Sequence, residues 1–215
     1  MKDKPNEWVS ISDLMAGVMA VVMLMLVLSV LQNKVAEVKR EQEKNSGYAA
    51  QQQKLNNLMH DMQKEMTDQG EDSLVGFDLA SGKITLKDKI FARGSACITD
   101  QAKDALARLA PRIEEFVTGS SNTQVFVEGH TDNLQVNNPV TDVMRFCTVY
   151  DDNYTLSAAR AREARKLLIA NLNAQQSHRV IVAGFGDSQP LNGIPPGDER
   201  NRRVEVQFLT HAAEN

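Results

Sequence analysis

The chain has 215 residues, which is enough for one ordinary domain and a substantial extension. Its formal net charge of −4 at pH 7 argues against a nucleic-acid-binding protein. The four histidines are scattered, and no serine or cysteine lies at a recognisable spacing from a base, so the sequence indicates neither a metal site nor an enzyme.

An uncharged apolar segment dominates the N-terminal region. Residues 14–31 contain no charged side chain, and a helix of that length spans about 27 Å, close to the hydrocarbon thickness of a bilayer. The segment is longer than the core of a typical signal peptide, and no small-residue cleavage site follows it. We therefore predict a short tail over residues 1–8 and a transmembrane helix over residues 9–32. A buried helix of a soluble protein is the alternative.

Asp13 lies one residue before the uncharged segment. A carboxylate at the edge of a membrane helix is costly and needs a reason. The small residues Ala16, Gly17 and Ala20 share a helix face with it, so another helix could approach this face closely. A carboxyl group there can exchange a proton, neutral against an apolar wall and ionised towards a water path. An interfacial carboxylate that caps the helix N-terminus is the alternative.

A polar, glutamine-rich stretch follows the apolar segment. We interpret residues 33–73 as a linker that is helical in part, with a break at Asn45, Ser46 and Gly47. Apolar residues recur in its second half at spacings of three and four, which is typical of an amphipathic helix. They are Leu55, Leu58, Met59, Met62 and Met66. This stripe could pair with a second copy of the chain or dock on the domain that follows.

Strand and helix patterns alternate over residues 74–210, and residues 211–215 form a tail. The expected order is a hairpin around residues 80–82, a helix capped by Thr99, a strand at 123–130, a polar insertion at 134–152, a helix at 156–172, a strand at 179–186 and a last strand at 202–209. Pro111 should kink or divide the first of these helices. The pattern predicts an α/β domain with helices packed on a small mixed β-sheet.

Four segments of this domain carry candidate binding residues: VEGHTDN at 127–133, NYTLSAARAREARKLL at 153–168, VAGFGDSQPL at 182–191 and ERNRRVEV at 199–206. Asp132 supplies a carboxylate, and Arg160 supplies a guanidinium. If both face one cleft, they can bind the ammonium and the carboxylate of a zwitterion. A simple ion pair between Asp132 and Arg160 is the alternative.

These ordered motifs resemble the OmpA-like peptidoglycan-binding domains. That family has a β/α fold and binds the stem peptide of peptidoglycan through diaminopimelate. The resemblance implies that Asp132 and Arg160 hold the ligand. It also implies that Asn153 and an arginine of the NRR motif assist them, with Arg202 favoured over Arg203.

The resemblance further implies that Thr131 and Leu156 form walls of the ligand site. The chain departs from the family pattern at two points, because the insertion at 134–152 is longer than usual and Asp152 stands where the family often has tyrosine. Both departures could change how the cleft opens or which peptidoglycan it accepts.

The two cysteines, Cys97 and Cys147, have neither a metal-binding nor a redox-motif spacing. If the domain lies outside the cytoplasm they could form a disulfide, which would tie the insertion to the start of the first helix of the domain. Two free buried thiols are the alternative.

A single membrane helix with an aspartate near its start, a linker and an OmpA-like domain resemble the MotB family of stator subunits. The helix sequence is most similar to the ZorB subunits of Zorya anti-phage defence systems. The resemblance implies a proton-driven motor in the inner membrane, in which a pentamer of a multi-span ZorA-like protein surrounds a dimer of this chain. Asp13 would carry the coupling proton without any cofactor. The expected contacts are with that partner, lipid and peptidoglycan, and not with nucleic acid.

The orientation in the membrane follows from the same resemblance. Lysines and arginines are more numerous after the helix than before it, which taken alone favours a cytoplasmic C-terminus. Peptidoglycan, however, lies outside the inner membrane, so residues 33–215 are expected in the periplasm and the N-terminus in the cytoplasm. A motor for flagella or gliding and a passive tether between the inner membrane and the wall are the alternative functions.

Overall fold

A computed structural model describes the backbone of residues 7–210 and the side chains of residues 11–42, 47 and 49–210. The predicted tail at 211–215 and most of the tail at 1–8 lie outside the described residues. The chain divides into two compact units, Met1–Ala49 and Ala50–Asn215.

The described part of the N-terminal unit is the first part of helix α1, which runs from Glu7 to Asp68. Its part from Ile11 to Gln42 is long and apolar enough to cross a membrane, and none of it is buried within the protein. The predicted break at Asn45–Gly47 was wrong, because the helix is continuous there. A single glycine costs a helix only about 1 kcal/mol, and the flanking glutamate, lysine, alanine and glutamine residues are good helix formers.

The end of α1 belongs to the C-terminal domain. Leu55, Leu58, Met59, Met62 and Met66 are all buried in the same core cluster as the sheet and the other helices. The stripe therefore docks on its own domain and does not remain free for a second copy. The domain begins near Ala50, not at the predicted residue 74, because this amphipathic helix supplies part of its core.

The C-terminal domain is an α/β structure with a five-stranded mixed sheet, as predicted. Its strands are β1 (Val75–Asp78), β2 (Lys83–Lys87), β3 (Thr123–His130), β4 (Val180–Gly184) and β5 (Arg203–Thr210). The order across the sheet is β1-β2-β5-β3-β4, in which β3 and β4 are parallel and the other neighbours are antiparallel. Alternate residues of β3 and β5 point into the core, among them Val125, Val127, Val204, Val206 and Phe208.

The remaining helices are α2 (Asp100–Gly119), α3 (Val143–Phe146), α4 (Asn153–Leu168) and α5 (Ala174–Ser177), and short 3₁₀ turns lie at Asp88–Ile90 and Glu199–Asn201. Pro111 does not divide α2, which buries Leu106, Leu109 and Ile113 along one face. The packing of this face maintains the helix around the exposed proline. Thr99 occupies the N-cap position, but its side chain makes no capping hydrogen bond.

Helix α4 lies very close to the C-terminal ends of β3 and β4. A Cβ atom on Gly129 would lie 2.0 Å from the carbonyl oxygen of Ser157, and one on Gly184 would lie 2.6 Å from the Cβ of Ala158. Only glycine permits this approach. It brings the first turns of α4, with Arg160, next to the residues that follow β3.

The insertion at 134–152 is fixed to the segment before α2. Cys97 and Cys147 form a disulfide, so the paired alternative holds. Beside it, the amide of Ala96 donates to the carbonyl of Phe146 at 3.0 Å, and the Tyr150 hydroxyl donates to the carbonyl of Gly94 at 2.6 Å. The long insertion is therefore an ordered part of the domain.

Replacing both Cys97 and Cys147 with serine should lower the free energy of unfolding by about 2–4 kcal/mol, because the unfolded chain loses a covalent closure across 50 residues. Urea unfolding of the oxidised protein measures the change. A thiol reductant should produce a similar loss in the unaltered chain and none in the double variant. Equal stability of the two oxidised proteins would contradict a stabilising role.

Candidate ligand-binding site

The candidate site lies where four elements end or begin next to one another. Asp132 follows β3, Arg160 lies on α4, Arg202 precedes β5, and Asp88 follows β2. The structure therefore brings together three residues selected from the sequence and one that was missed.

Arg202 joins the two carboxylates of the site. Its Nη1 atom is 2.7 Å from Oδ2 of Asp132, and its Nε and Nη2 atoms are each 3.1 Å from an oxygen of Asp88. The hydrogen bond with Asp88, together with the one to Asp132, raises the pKa of Arg202 above its ordinary value. Arg203 points elsewhere, with its Nε atom 2.6 Å from Glu205. Of the two arginines in the NRR motif, Arg202 is thus the one in the cleft.

Arg160 is only 2% exposed and has an unused donor. Its Nε atom donates to the carbonyl of Ser95 at 3.0 Å, and its guanidinium lies 5.3 Å from the ring centre of Phe91. Its Nη1 atom is 3.6 Å from Asp88 and has no hydrogen-bond partner among the described residues. An unsatisfied buried guanidinium donor is costly, so this atom can bind an incoming anionic oxygen.

The ion pair between Asp132 and Arg160 that the sequence left open is not formed. Asp132 pairs with Arg202, while the nearest carboxylate to Arg160 is that of Asp88. Asp132 accepts the backbone amide of Leu134 through its other oxygen at 3.2 Å. These two contacts hold the Asp132 carboxylate in one orientation at the edge of the cleft.

Asn153 supports the loop after β3. Its Nδ2 group donates to the backbone carbonyls of Asp132 at 3.2 Å and Leu134 at 3.0 Å. Its amide group thereby holds the loop that carries Asp132. Asp152, the departure from the family pattern, caps α4 by accepting the amide of Thr155 at 2.6 Å.

Thr131 and Leu156, the predicted wall residues, are both buried. The Thr131 amide donates to the carbonyl of Gly186 at 2.8 Å, and its hydroxyl has no partner among the described residues. Thr131 therefore connects the loop after β3 to the loop after β4, next to Asp132.

Asp88 could have been found from strand pairing. In the register of β2 and β5, Lys87 lies opposite Arg203, so Asp88 comes next to Arg202 at the same edge of the sheet. The motif comparison did not indicate it, because Asp88 lies in none of the four segments. Its carboxylate nevertheless contacts both arginines of the cleft.

A family model described as the OmpA family matches residues 90–203. The chain belongs to the OmpA family. The match includes Asp132, Asn153, Arg160 and Arg202, and it leaves out Asp88 and helix α1.

Two relatives extend the similarity beyond the OmpA domain. The Zorya protein ZorB of Escherichia coli strain ATCC 8739 is 27% identical over 224 aligned residues, which cover 98% of this chain and 91% of that protein. Motility protein B of Bacillus subtilis is 30% identical over 170 residues and covers 77% of this chain. This chain spans only 60% of the length of the motility protein.

A crystal structure of a MotB-like protein from Desulfovibrio vulgaris has the same fold as this chain. The TM-score is 0.55, and the match covers 74% of this chain and 99% of that protein at 21% identity.

A second polar cluster of the OmpA domain lies on the face of the sheet opposite the core. Ligand atoms of Glu128, His130 and Glu205 lie within 4.8 Å of one another. Lys83 is 2.8 Å from Glu205 and 3.8 Å from Glu128, and Arg203 also pairs with Glu205. Because these two cations already balance the two carboxylates, we assign no metal to the cluster.

His130 is 1% exposed and stacks on Phe185 at 5.3 Å, and neither ring nitrogen has a hydrogen-bond partner among the described residues. Burial, with the nearby charge of Arg203, lowers the pKa of His130 from 6.5 to about 4. The folded OmpA domain therefore holds this imidazole neutral at pH 7.

Stability should depend on pH through His130. Below pH 6.5 the His130 imidazole binds a proton in the unfolded state, whereas in the folded state it stays neutral until about pH 4. The stability that this neutral imidazole contributes is therefore fully present above pH 6.5 and is lost as the pH falls towards 4. We expect a loss of about 3 kcal/mol from this group. Urea unfolding at pH 7.5 and pH 4.5 should show a smaller decrease in His130→Gln than in the unaltered chain. The same decrease in both proteins would contradict this assignment.

Proposed function

We propose that this chain is a stator-type subunit of a proton-driven motor in the inner membrane, that it anchors the motor to peptidoglycan, and that it takes part in anti-phage defence. The observation that supports anchoring most strongly is the unused donor of Arg160, 3.6 Å from Asp88 in a cleft that also contains Asp132 and Arg202. The proposal for the membrane part rests on Asp13 and on similarity to ZorB along the whole chain.

The cleft has the chemistry to bind a zwitterionic centre of a wall peptide. Arg160 can donate to the ligand carboxylate, and Asp132 can accept the ligand ammonium. Diaminopimelate in the peptidoglycan stem peptide carries both groups on one carbon. Arg202 contacts both Asp88 and Asp132, so it can donate to the ligand carboxylate, and a shift of its contact with Asp132 would free that aspartate to accept the ammonium.

The disulfide supports a periplasmic C-terminal domain. Disulfides persist in oxidising compartments such as the periplasm and are rare in the cytoplasm. Helix α1 then crosses the inner membrane once, with its N-terminus in the cytoplasm. This orientation gives the cleft access to the cell wall.

Asp13 is the proposed proton carrier. It is exposed on α1, and the face next to it is slim because Ala16, Gly17 and Ala20 have small side chains. The space beside Gly17 is open, since a Cβ atom there would meet nothing within 4 Å. A helix of a multi-span, ZorA-like partner could approach the carboxyl group there. We propose a dimer of this chain within a pentamer of that partner, with protons as the coupling ion.

Similarity to ZorB favours defence, whereas similarity to the motility protein favours a flagellar motor as the second candidate. Two assays separate them: phage plating on cells that express the full operon with and without this chain, and swimming of a strain that lacks its own MotB-type subunit. Protection without restored swimming supports the defence motor. Restored swimming without protection would support the flagellar role. If an Asp13→Asn variant kept whichever of these activities the unaltered chain has, only a passive tether would remain.

A further inference from the structure

Asp88 lies beside both arginines of the cleft. Its two oxygens each lie 3.1 Å from Arg202, and one of them lies 3.6 Å from the free Nη1 atom of Arg160. Asp88 is thus the only carboxylate among the described residues within 4 Å of both arginines. A ligand carboxylate that binds Arg160 must come close to it.

The charges of the cleft are balanced. Two carboxylates, Asp88 and Asp132, face two guanidinium groups, Arg160 and Arg202. A zwitterion preserves this balance, because its ammonium compensates the carboxylate that it brings. A simple anion adds a negative charge beside Asp88 and leaves both aspartates without a new cation.

The surroundings would otherwise favour any anion. Asp88 also lines a cavity of about 430 Å³ whose other charged residues are mostly basic. The basic residues are Lys87, Lys89, Arg200, Arg202 and Arg203, of which Arg200 pairs with Asp198 and Arg203 with Glu205, and Glu199 is the other acidic residue of the lining. Glu199 is 80% exposed and 3.7 Å from Arg202, so it screens the arginines less than Asp88 does.

We propose that Asp88 determines specificity in this cleft: it rejects plain carboxylates and admits a centre that carries both an ammonium and a carboxylate. The inference rests on the proposed binding of peptidoglycan and adds a residue to it. The carboxylate of the ligand takes the free donor of Arg160, and its ammonium lies next to Asp88 and Asp132 and shares these two carboxylates with Arg202. Asp88 thereby serves as a second ammonium acceptor and as a barrier to anions.

Two seven-carbon diacids test this role directly. Diaminopimelate carries an amino group beside each carboxylate, and pimelate has the same backbone without amino groups. The full chain in detergent is bound to purified peptidoglycan sacculi, and each acid is added as a competitor. For the unaltered chain, diaminopimelate should compete at a concentration at least about tenfold lower than pimelate, because pimelate leaves the charged acceptors unmatched.

In Asp88→Asn, the concentrations at which the two acids compete should differ by less than about threefold, chiefly because pimelate competes at a lower concentration than it does with the unaltered chain. Asp88→Ser should behave in the same way, and Glu199→Gln should keep the ratio of the unaltered chain. An unchanged ratio in folded Asp88 variants would overturn the inference. A parallel loss of sacculus binding and of both competitions would also overturn it, because Asp88 would then only position the arginines.

Failure of peptidoglycan anchoring can be distinguished from failure of the specificity role of Asp88. If the unaltered chain does not bind sacculi, both peptidoglycan anchoring and the inference are wrong. If it binds sacculi but diaminopimelate does not compete, anchoring stands and the specificity role of Asp88 is wrong.

Discussion

Replacing Arg160 with alanine should reduce binding to isolated peptidoglycan by at least about 30-fold. The guanidinium is nearly inaccessible to water, so a ligand carboxylate there would make charge-assisted hydrogen bonds with little competition from solvent. Removing one partner of such a buried pair costs about 2–5 kcal/mol. Arg160→Lys should recover only part of the binding, because an ammonium lacks the planar fork of donors.

The measurement is retention of the full chain by purified sacculi across a range of concentrations. Arg162→Ala is the matched control, because Arg162 lies two residues along the same helix, is about half exposed and pairs with Glu163. Circular dichroism is used to test whether Arg160→Ala remains folded after it loses the contacts with Ser95 and Phe91. Undiminished retention of a folded Arg160→Ala would contradict the assignment of the cleft.

Replacing Asp13 with asparagine should reduce phage protection to the level of cells without this chain. Asparagine has nearly the same shape but cannot gain or lose a proton, so α1 can still pack while ion transfer stops. Efficiency of plating on cells that express the full operon measures the effect. Glu37→Gln is the control, because Glu37 is a carboxylate of the same helix that pairs with Lys34 on the exposed surface.

Equal protection by the unaltered chain and by Asp13→Asn would contradict the motor and favour a passive tether. Unchanged amounts of the two proteins in the membrane, measured by immunoblot, exclude lower expression as the cause of a loss.

The strands of the OmpA domain were predictable because the local sequence determines them. The run from Thr123 to His130 alternates between core and polar positions, and the structure has a strand of the same bounds. The extent of the domain was not predictable in this way. The stripe from Leu55 to Met66 has the same helical periodicity whether it meets a second copy or its own domain, and only tertiary packing decides between them.

The site shows a similar division. Asp132, Arg160 and Arg202 lie in recognisable motifs, and the structure gathers them. Asp88 was missed because its position depends on the pairing of β2 with β5, two strands far apart in sequence. The pairing of Cys97 with Cys147 likewise depends on where the insertion folds, so the sequence could only offer it as one of two alternatives.

Proton flow through Asp13 tests the central claim most directly. Cells that produce this chain with the proposed multi-span partner can be monitored with a cytoplasmic pH-sensitive fluorescent protein after phage is added. We predict a cytoplasmic acidification with the unaltered chain and with Glu37→Gln, and none with Asp13→Asn. Equal acidification with the unaltered chain and Asp13→Asn, or none with either, would contradict a proton-driven motor.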